Sequence, residues 1–542
     1  MNRLTRLYYT VKYLKPIQVL NRFQRKLRTI PVVENSYCIT SDLAQKWTRS
    51  ELLASSYCGH NEFIFLNEKS TLTHWNDQSQ AKLWLYNLHY FDDLNAFGAS
   101  ERKDLHLNLI EQWVDDNPIG VGNGWEPYPS SLRIINWIKY FLSFDVSNSK
   151  YEESLYQQTH YLRHNLEYHL LGNHLFENAK ALVFAGCYFN DERSAEWLTK
   201  GLEILHKEIP EQISKDGSNF ELSPMYHNIL LAGMLDLFNL TNAYKHKELL
   251  KRQGSWRKII LQMIKYSLSM NHLDGDVSLF NDSAKGIAAK TQDLIEYANR
   301  LGIEYLSEFE QHDGLSYQHY TDAGYIVVES SKLKAHLDIA KVGPDYLPGH
   351  GHADTLSFEA SFYGQRVFVN SGTSVYGLSE ERLRQRKTAA HNTIEVDGLD
   401  SSEVWSGFRV ARRAYPNLRS IAQNDDSLII SASHDGYMRL KGKVTHNRDW
   451  QFTDSQLVIS DNLTGHVNTA FAFLHVHPDI DVTLEGRIIY LTLPDSQILT
   501  LESNSEVLIE DSTWHPEFGK SIPNKKLVFP IEDQALTVSV NY

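Results

Sequence analysis

A change of hydrophobic period near residue 310 constrains this chain more than any other feature. From about residue 80 to 302 apolar residues recur three or four apart, as in Leu132, Ile135, Ile138 and Leu142, and again in Ile260, Ile264 and Leu268. Short breaks such as Val121-Gly122-Asn123-Gly124 and Lys215-Asp216-Gly217 separate these runs. Six or more helices joined by short loops are expected, and a closed α/α toroid and a plain bundle both satisfy that period. Beyond residue 310 the runs become short and β-rich, for example Tyr325-Ile326-Val327-Val328 and Arg487-Ile488-Ile489-Tyr490-Leu491, with Asp397-Gly398 and Asp435-Gly436 between them. An antiparallel β-sandwich is expected there. A chain of 542 residues exceeds what one core normally supports. The expected organisation is a helical extension over 1–80, a helical domain over 81–308 and a sandwich over 309–542.

Charge narrows the partners. The net charge of -14 argues against nucleic acid, whose phosphates need basic surface. It leaves an acidic glycan open, because a cleft on an acidic protein can be locally basic. Aromatic residues make up 12% of the chain, which suits sugar rings and a large core equally. Cys38, Cys58 and Cys187 are odd in number and widely spaced, so neither a disulfide framework nor a CxxC metal site is expected. The start of the chain is basic, with Arg3, Arg6, Lys12, Lys15, Arg22, Arg25, Lys26 and Arg28. It has no uninterrupted apolar run of seven or more, so it does not read as a secretory signal, and a cytoplasmic protein is expected. No transmembrane segment is expected. The basic stretch is either a solvated helix packed on its own domain or a peripheral membrane contact. Oligomeric state is not readable.

Four segments carry candidate chemistry. In Gly172-Asn173-His174-Leu175-Phe176-Glu177 the residues Asn173 and Glu177 share a helix face, so Asn173 serves either as an amide donor to a carboxylate or as a helix N-cap. In Ser223-Pro224-Met225-Tyr226-His227, Ser223 and Pro224 open a helix, and Tyr226 can transfer protons if nearby cations lower its pKa. In Gly349-His350-Gly351-His352-Ala353-Asp354 two histidines two apart suit a metal or a catalytic pair, with His391 downstream in Ala390-His391-Asn392-Thr393. In Gly124-Trp125-Glu126-Pro127-Tyr128 the rings of Trp125 and Tyr128 are candidate floors of a sugar subsite, and Arg133 faces either a carboxylate or Glu126. Glu177 and His227 complete the candidate substrate contacts. No P-loop, GxSxG elbow or dinucleotide-binding glycine pattern is present. Glu126, Glu177 and Glu221 keep a glycoside hydrolase open, and a non-catalytic glycan-binding protein is the third alternative.

Taken in order, these segments resemble the heparinase II/III family, from Trp84-Leu85-Tyr86-Asn87-Leu88-His89-Tyr90-Phe91 to Ala390-His391-Asn392-Thr393-Ile394-Glu395-Val396-Asp397-Gly398. The resemblance spans about residues 80 to 480. It implies an N-terminal (α/α) toroid, a C-terminal antiparallel β-sandwich, and β-elimination on uronic-acid polysaccharides. It further implies Asn173 as neutraliser of the substrate carboxylate with His174 in support. Tyr226 is implied as base, acid or both, and His350 as the second proton-transfer residue. His352 and His391 are implied as ligands of a structural Zn2+, with no organic cofactor. The third ligand of the family is an aspartate where this chain has Asn370, which weakens the expected zinc site. Without an export signal, a role in making or trimming a surface polysaccharide is the conjectured setting.

Overall fold

The computed structural model describes residues 3–31, 39–305 and 314–542. The boundary expected at 308/309 and Cys38 lie outside these residues; Cys58 is exposed and Cys187 buried, both as free thiols.

The helical half is built in two layers. The helices Pro127–Phe144, Gly172–Tyr188 and Pro224–Tyr244 are buried on nearly every face, as Ile134, Trp137 and Tyr140, Ala181, Leu182 and Val183, or Leu230, Met234 and Leu237 illustrate. A helix that is apolar all round has to lie inside. Each of the three is followed in sequence by an outer helix, Ser149–Arg163, Glu192–Gln212 and Lys247–Met270 in turn, and the second of these buries one stripe, Trp197, Leu202, Leu205 and Ile209. This alternation of inner and outer helices is the layering that a toroid needs. Local signals start and stop these helices. Pro127 and Pro224 occupy first turns with fixed φ, and Asp145 and Lys245 end them in the left-handed region.

Among the described residues of the first 80, Arg3–Val11 and Pro16–Leu27 are the helices. A three-stranded antiparallel sheet follows over Tyr57–Gly59, Glu62–Phe65 and Glu68–Thr71, which corrects the expected helical extension. Its hairpins turn at His60-Asn61 and Leu66-Asn67, all at positive φ, and Phe63 seals it onto the helical core.

The second half is antiparallel throughout its named strands. A five-stranded meander runs from Ser316–Tyr320 to Gln365–Phe368. An eight-stranded sheet places Gln456–Thr464 beside the last strand, Ala535–Asn541. A four-stranded sheet ends on Ile394–Val396. All three sheets contribute to one core, with Val328 and Phe358 from the first, Ile430 and Trp450 from the second, and Leu474 and Phe529 from the third. Strict in-out alternation along Leu428–His434 shows why the sandwich was readable by period.

Inside that core sits a buried ion pair. Arg448 donates to Asp461 at 2.7 and 2.9 Å and to the carbonyls of Leu356 and Asn392, each at 2.7 Å. His446 Nε2 adds a contact of 2.6 Å to the same carboxylate. Burial alone pushes Asp461 up, but Arg448 and His446 outweigh it and hold the carboxyl at about 2. A carboxyl held below its ordinary value of 3.8 stabilises the fold above that value and loses the contribution as pH falls towards 2. Asp461→Asn, which strands the Arg448 charge, is expected to cost about 3–5 kcal/mol in chemical denaturation at neutral pH. The gap to wild type is expected to narrow below the ordinary carboxylate value.

Candidate active site

Three inner helices begin at one place. Tyr128 is the second residue of Pro127–Phe144, Asn173 the second of Gly172–Tyr188, and Tyr226 the third of Pro224–Tyr244. Asn173 is therefore inside its helix; the cap position is Leu171 at φ 67, which excludes the N-cap alternative. Asn173 Nδ2 donates to Tyr128 Oη at 3.0 Å, and the Tyr128 ring lies 4.5 Å from that of His174. Gly172, at φ 54, keeps this turn close to the sandwich: a Cβ here would sit 2.4 Å from Leu347 Cδ2. His174 Nδ1 lies 3.2 Å from Glu167 Oε1. Burial disfavours the imidazolium, yet Glu167 outweighs it and the His174 pKa is raised.

The sandwich supplies the opposite wall. The His350 ring stacks 4.2 Å from Tyr226, its Nδ1 is 2.9 Å from Asp282 Oδ2, and its Nε2 is 3.6 Å from Glu221 Oε2. The Tyr226 and Tyr376 hydroxyls are 3.1 Å apart. Phe408, exposed, stands 6.1 Å from the His350 ring. Burial, then Tyr376, Asp282 and Glu221, push the Tyr226 phenol well above its ordinary value. This corrects the expectation of a phenol lowered by cations: the Arg382 guanidinium, which lies over the Tyr376 ring, is spent on Asp282, donating to both carboxylate oxygens with Nη2 at 2.6 Å. Burial pushes Asp282 up, but Arg382, His350 and His352 outweigh it and hold it well below the usual carboxylate range.

Some candidates fall elsewhere. Trp125 is buried against Trp113 and Tyr161, with its Nε1 donating to the Asn117 carbonyl, so it is core and not a subsite floor. Arg133 meets neither a substrate nor Glu126: it donates to Gln158 at 2.9 Å and to the Gly124 carbonyl at 2.8 Å, and its guanidinium lies 3.8 Å over Trp113. Glu126 instead takes Lys82 and Tyr86. His227 points into the core, with Nε2 2.9 Å from the Met263 carbonyl and its pKa pushed down by burial to about 4. Glu177 is buried and paired with Lys180 at 2.9 Å. In each case the motif is at the cleft, but the helical turn sends the neighbouring side chain inward. Sequence reading missed Asp282, Tyr376, Arg382 and Phe408, which no local spacing links to Tyr226. Glu221 was noted only as a hydrolase carboxylate.

Behind His350 lies a potential cation site. His352, Asp354 and His391 are all buried, and their donor atoms lie within 4.8 Å of one another. His352 Nδ1, Asp354 Oδ2 and His391 Nε2 have no hydrogen-bond partner. Such buried orphans cost about 1–3 kcal/mol each, and one divalent cation would satisfy all three. Burial pushes His352 down to about 4 and holds His391 well below its ordinary value, leaving both neutral, the ligating form. The residues therefore fit a metal, with a correction to the expected donor set. Asn370 Oδ1 accepts from His391 Nδ1, which orients the ring and leaves Nε2 bare, while Asp354 supplies the carboxylate. That signal was in the sequence as a carboxylate two residues after His352.

A helical domain, antiparallel sheets that share one core, and a Tyr–His–Asn cluster where the two meet define a two-domain architecture. Family models for the heparinase II/III N-terminus over residues 9–313 and for the heparinase II/III-like C-terminal domain over residues 313–542 both match, and the chain belongs to the heparinase II/III family. The match extends beyond residues 80–480 at both ends. A heparin-sulfate lyase of Bacteroides stercoris is 26% identical over 366 residues, 63% of this chain and 52% of that protein. One of Pedobacter heparinus is 25% identical over 344 residues, 59% of this chain and 49% of that protein. The chain thus spans about half the length of the curated relatives it matches. A crystal structure of heparinase III shares the fold with TM-score 0.71 and 16% identity over 97% of this chain and 88% of the other. A heparan sulfate lyase from Pedobacter heparinus does so with TM-score 0.60 and 18% identity over 97% and 87%.

Metal analysis by mass spectrometry after loading with Zn2+ and desalting is expected to find about one equivalent in the wild type. Asp354→Asn is expected to abolish that occupancy, whereas Asn370→Ala weakens affinity about tenfold. A chelator is expected to lower the Tm of the wild type only.

Proposed function

We propose that this chain is a polysaccharide lyase that cleaves a uronic-acid-containing polysaccharide by β-elimination. The observation that carries the reading is the meeting of three inner-helix N-termini, bearing Tyr128, Asn173 and Tyr226, against His350 of the sandwich. Helix N-termini are partially positive and favour an anion, and a uronate carboxylate is the anion that β-elimination has to neutralise. The heparin-sulfate lyases among its relatives point the same way.

The roles follow from which atoms hold protons. Asn173 has two amide hydrogens, of which one is engaged by Tyr128, so the other is available to the carboxylate at C5. Asp282 accepts from His350 Nδ1, which leaves Nε2 bare and able to take the C5 proton. The electron pair released at C5 forms the C4–C5 double bond as the C4–O bond breaks. Tyr226, held as a neutral phenol, gives its proton to the departing oxygen. Tyr376 Oη, 3.1 Å away, is placed to hold that hydrogen-bond chain together. His174 supports Asn173 from the same helical turn. Zn2+ on His352, Asp354 and His391 would supply a fixed divalent charge that ties the His350 loop to the sandwich.

The test is to follow near-ultraviolet absorbance of the unsaturated uronate across a panel of uronate polysaccharides. Turnover is expected on at least one polymer, with Tyr226→Phe and His350→Ala each lowering kcat about 10³-fold and Asn173→Ala lowering it about 10²-fold. Shortened chains without the new absorbance would replace elimination by hydrolysis.

A further inference from the structure

The two N-terminal helices are amphipathic the wrong way round for a soluble protein. In Pro16–Leu27 the buried side chains are Gln18 and Asn21. Gln18 Nε2 reaches the carbonyls of Leu170 at 3.4 Å and Tyr346 at 3.3 Å, and Arg25 on the same face contacts His169. The opposite face presents Leu20, Phe23 and Leu27, which are 53%, 64% and 86% exposed. Helix Arg3–Val11 repeats the arrangement. Thr10 accepts from Trp405 Nε1 at 3.1 Å and Arg6 lies over that indole, while Leu7, Tyr8 and Val11 face outward. Polar groups thus anchor the helices to both domains and apolar groups are left to solvent. In a folded protein a contiguous patch of this kind marks a surface that something apolar covers.

Charge selects the covering. Met1 to Pro31 carries eight Lys and Arg and no Asp or Glu, in a chain whose net charge is -14. Among the basic residues, Lys12, Arg22 and Lys26 are exposed at the rim of the apolar face. We propose that these two helices dock the protein on an anionic lipid surface, the apolar face entering the headgroup boundary and the basic rim meeting lipid phosphates. Apolar side chains rimmed by Lys and Arg are the composition of helices that lie in the plane of a membrane. No helix among the described residues is long and apolar enough to cross one, so the attachment is peripheral. A second copy of this chain would bring Lys12, Arg22 and Lys26 against the same cations, and a soluble polyanion would leave the apolar face uncovered. The attachment is tied to the site by chain: Leu170 and Tyr346, whose carbonyls Gln18 reaches, stand shortly before Asn173 and His350 in sequence. The docked protein would therefore work on chains held close to the membrane. This inference does not depend on the β-elimination reading.

The test uses the full chain and sedimentation with vesicles. The wild type is expected to pellet at least about tenfold more with phosphatidylglycerol–phosphatidylcholine vesicles than with phosphatidylcholine alone, and less at high salt. Leu20→Ser/Phe23→Ser/Leu27→Ser is expected to lose association about tenfold or more with little change in Tm, since more than half of each side chain is exposed. Arg22→Gln/Lys26→Gln, a second variant, is expected to lose the preference for anionic vesicles. Wild type that stays in the supernatant with anionic vesicles overturns the proposal. So does a dimer in light scattering that the triple Ser variant dissociates, which would make the face a subunit interface. Binding to soluble heparin with no vesicle binding would assign the basic rim to a polyanion instead.

Discussion

The Asp282 carboxylate is the interaction on which the rest of this structure turns. It sits in the loop after the Lys247–Met270 helix and takes its partners from the other half of the chain: His350, His352, Arg382 and, at 3.4 Å, Thr373. A buried carboxylate with so many donors gains little net stability, because desolvation consumes most of the attraction, but its geometry is strongly specified. Removing Arg382 would leave the buried charge uncompensated, whereas the neutral donors fix its orientation. The same anion sets the His350 tautomer, holds Arg382 away from the Tyr226 phenol, and keeps His352 turned so that its other nitrogen faces Asp354 and His391.

Around this point the two halves contribute different things. The helical domain brings three helix starts, whose first turns carry Tyr128, Asn173 and Tyr226. The sandwich brings side chains with protons to move. Neither contribution needs unusual chemistry from any single residue. The phenol keeps its ordinary protonation, the imidazole is oriented by a carboxylate, and the amide donates. What is unusual is the close approach, made at Gly172, where the Leu347 side chain occupies the space a Cβ would fill.

The fold was largely legible because period survives in a single sequence. Inner helices that are apolar all round and strands that alternate strictly can be counted without knowing their neighbours, and Pro224 or Asp145 mark ends by local stereochemistry. The small sheet at 57–71 was missed because its strands are three or four residues long, shorter than any periodic window, and only the His60-Asn61 and Leu66-Asn67 turns announce it. The site was half legible. Asn173, Tyr226, His350 and Tyr128 were found and do meet. Arg133 and His227 share helices with Tyr128 and Tyr226, but a helix rotates consecutive side chains by about 100°, and the rotation carries both into the core; Trp125 belongs to the short turn before the Tyr128 helix and packs on Trp113. Asp282, Tyr376 and Arg382 could not be found this way, since the contacts that give them meaning span 68 to 150 residues of chain. Asp354 was visible and passed over, because the resemblance directed attention to Asn370.

Because Tyr226 and Asn173 belong to one domain and His350 to the other, neither domain alone contains a site. The cleft is a coincidence of two folding events and one docking event. Each domain can be fully formed while the molecule is still inert, and a partial separation at the Asp282 junction would extinguish the cleft long before either core melts.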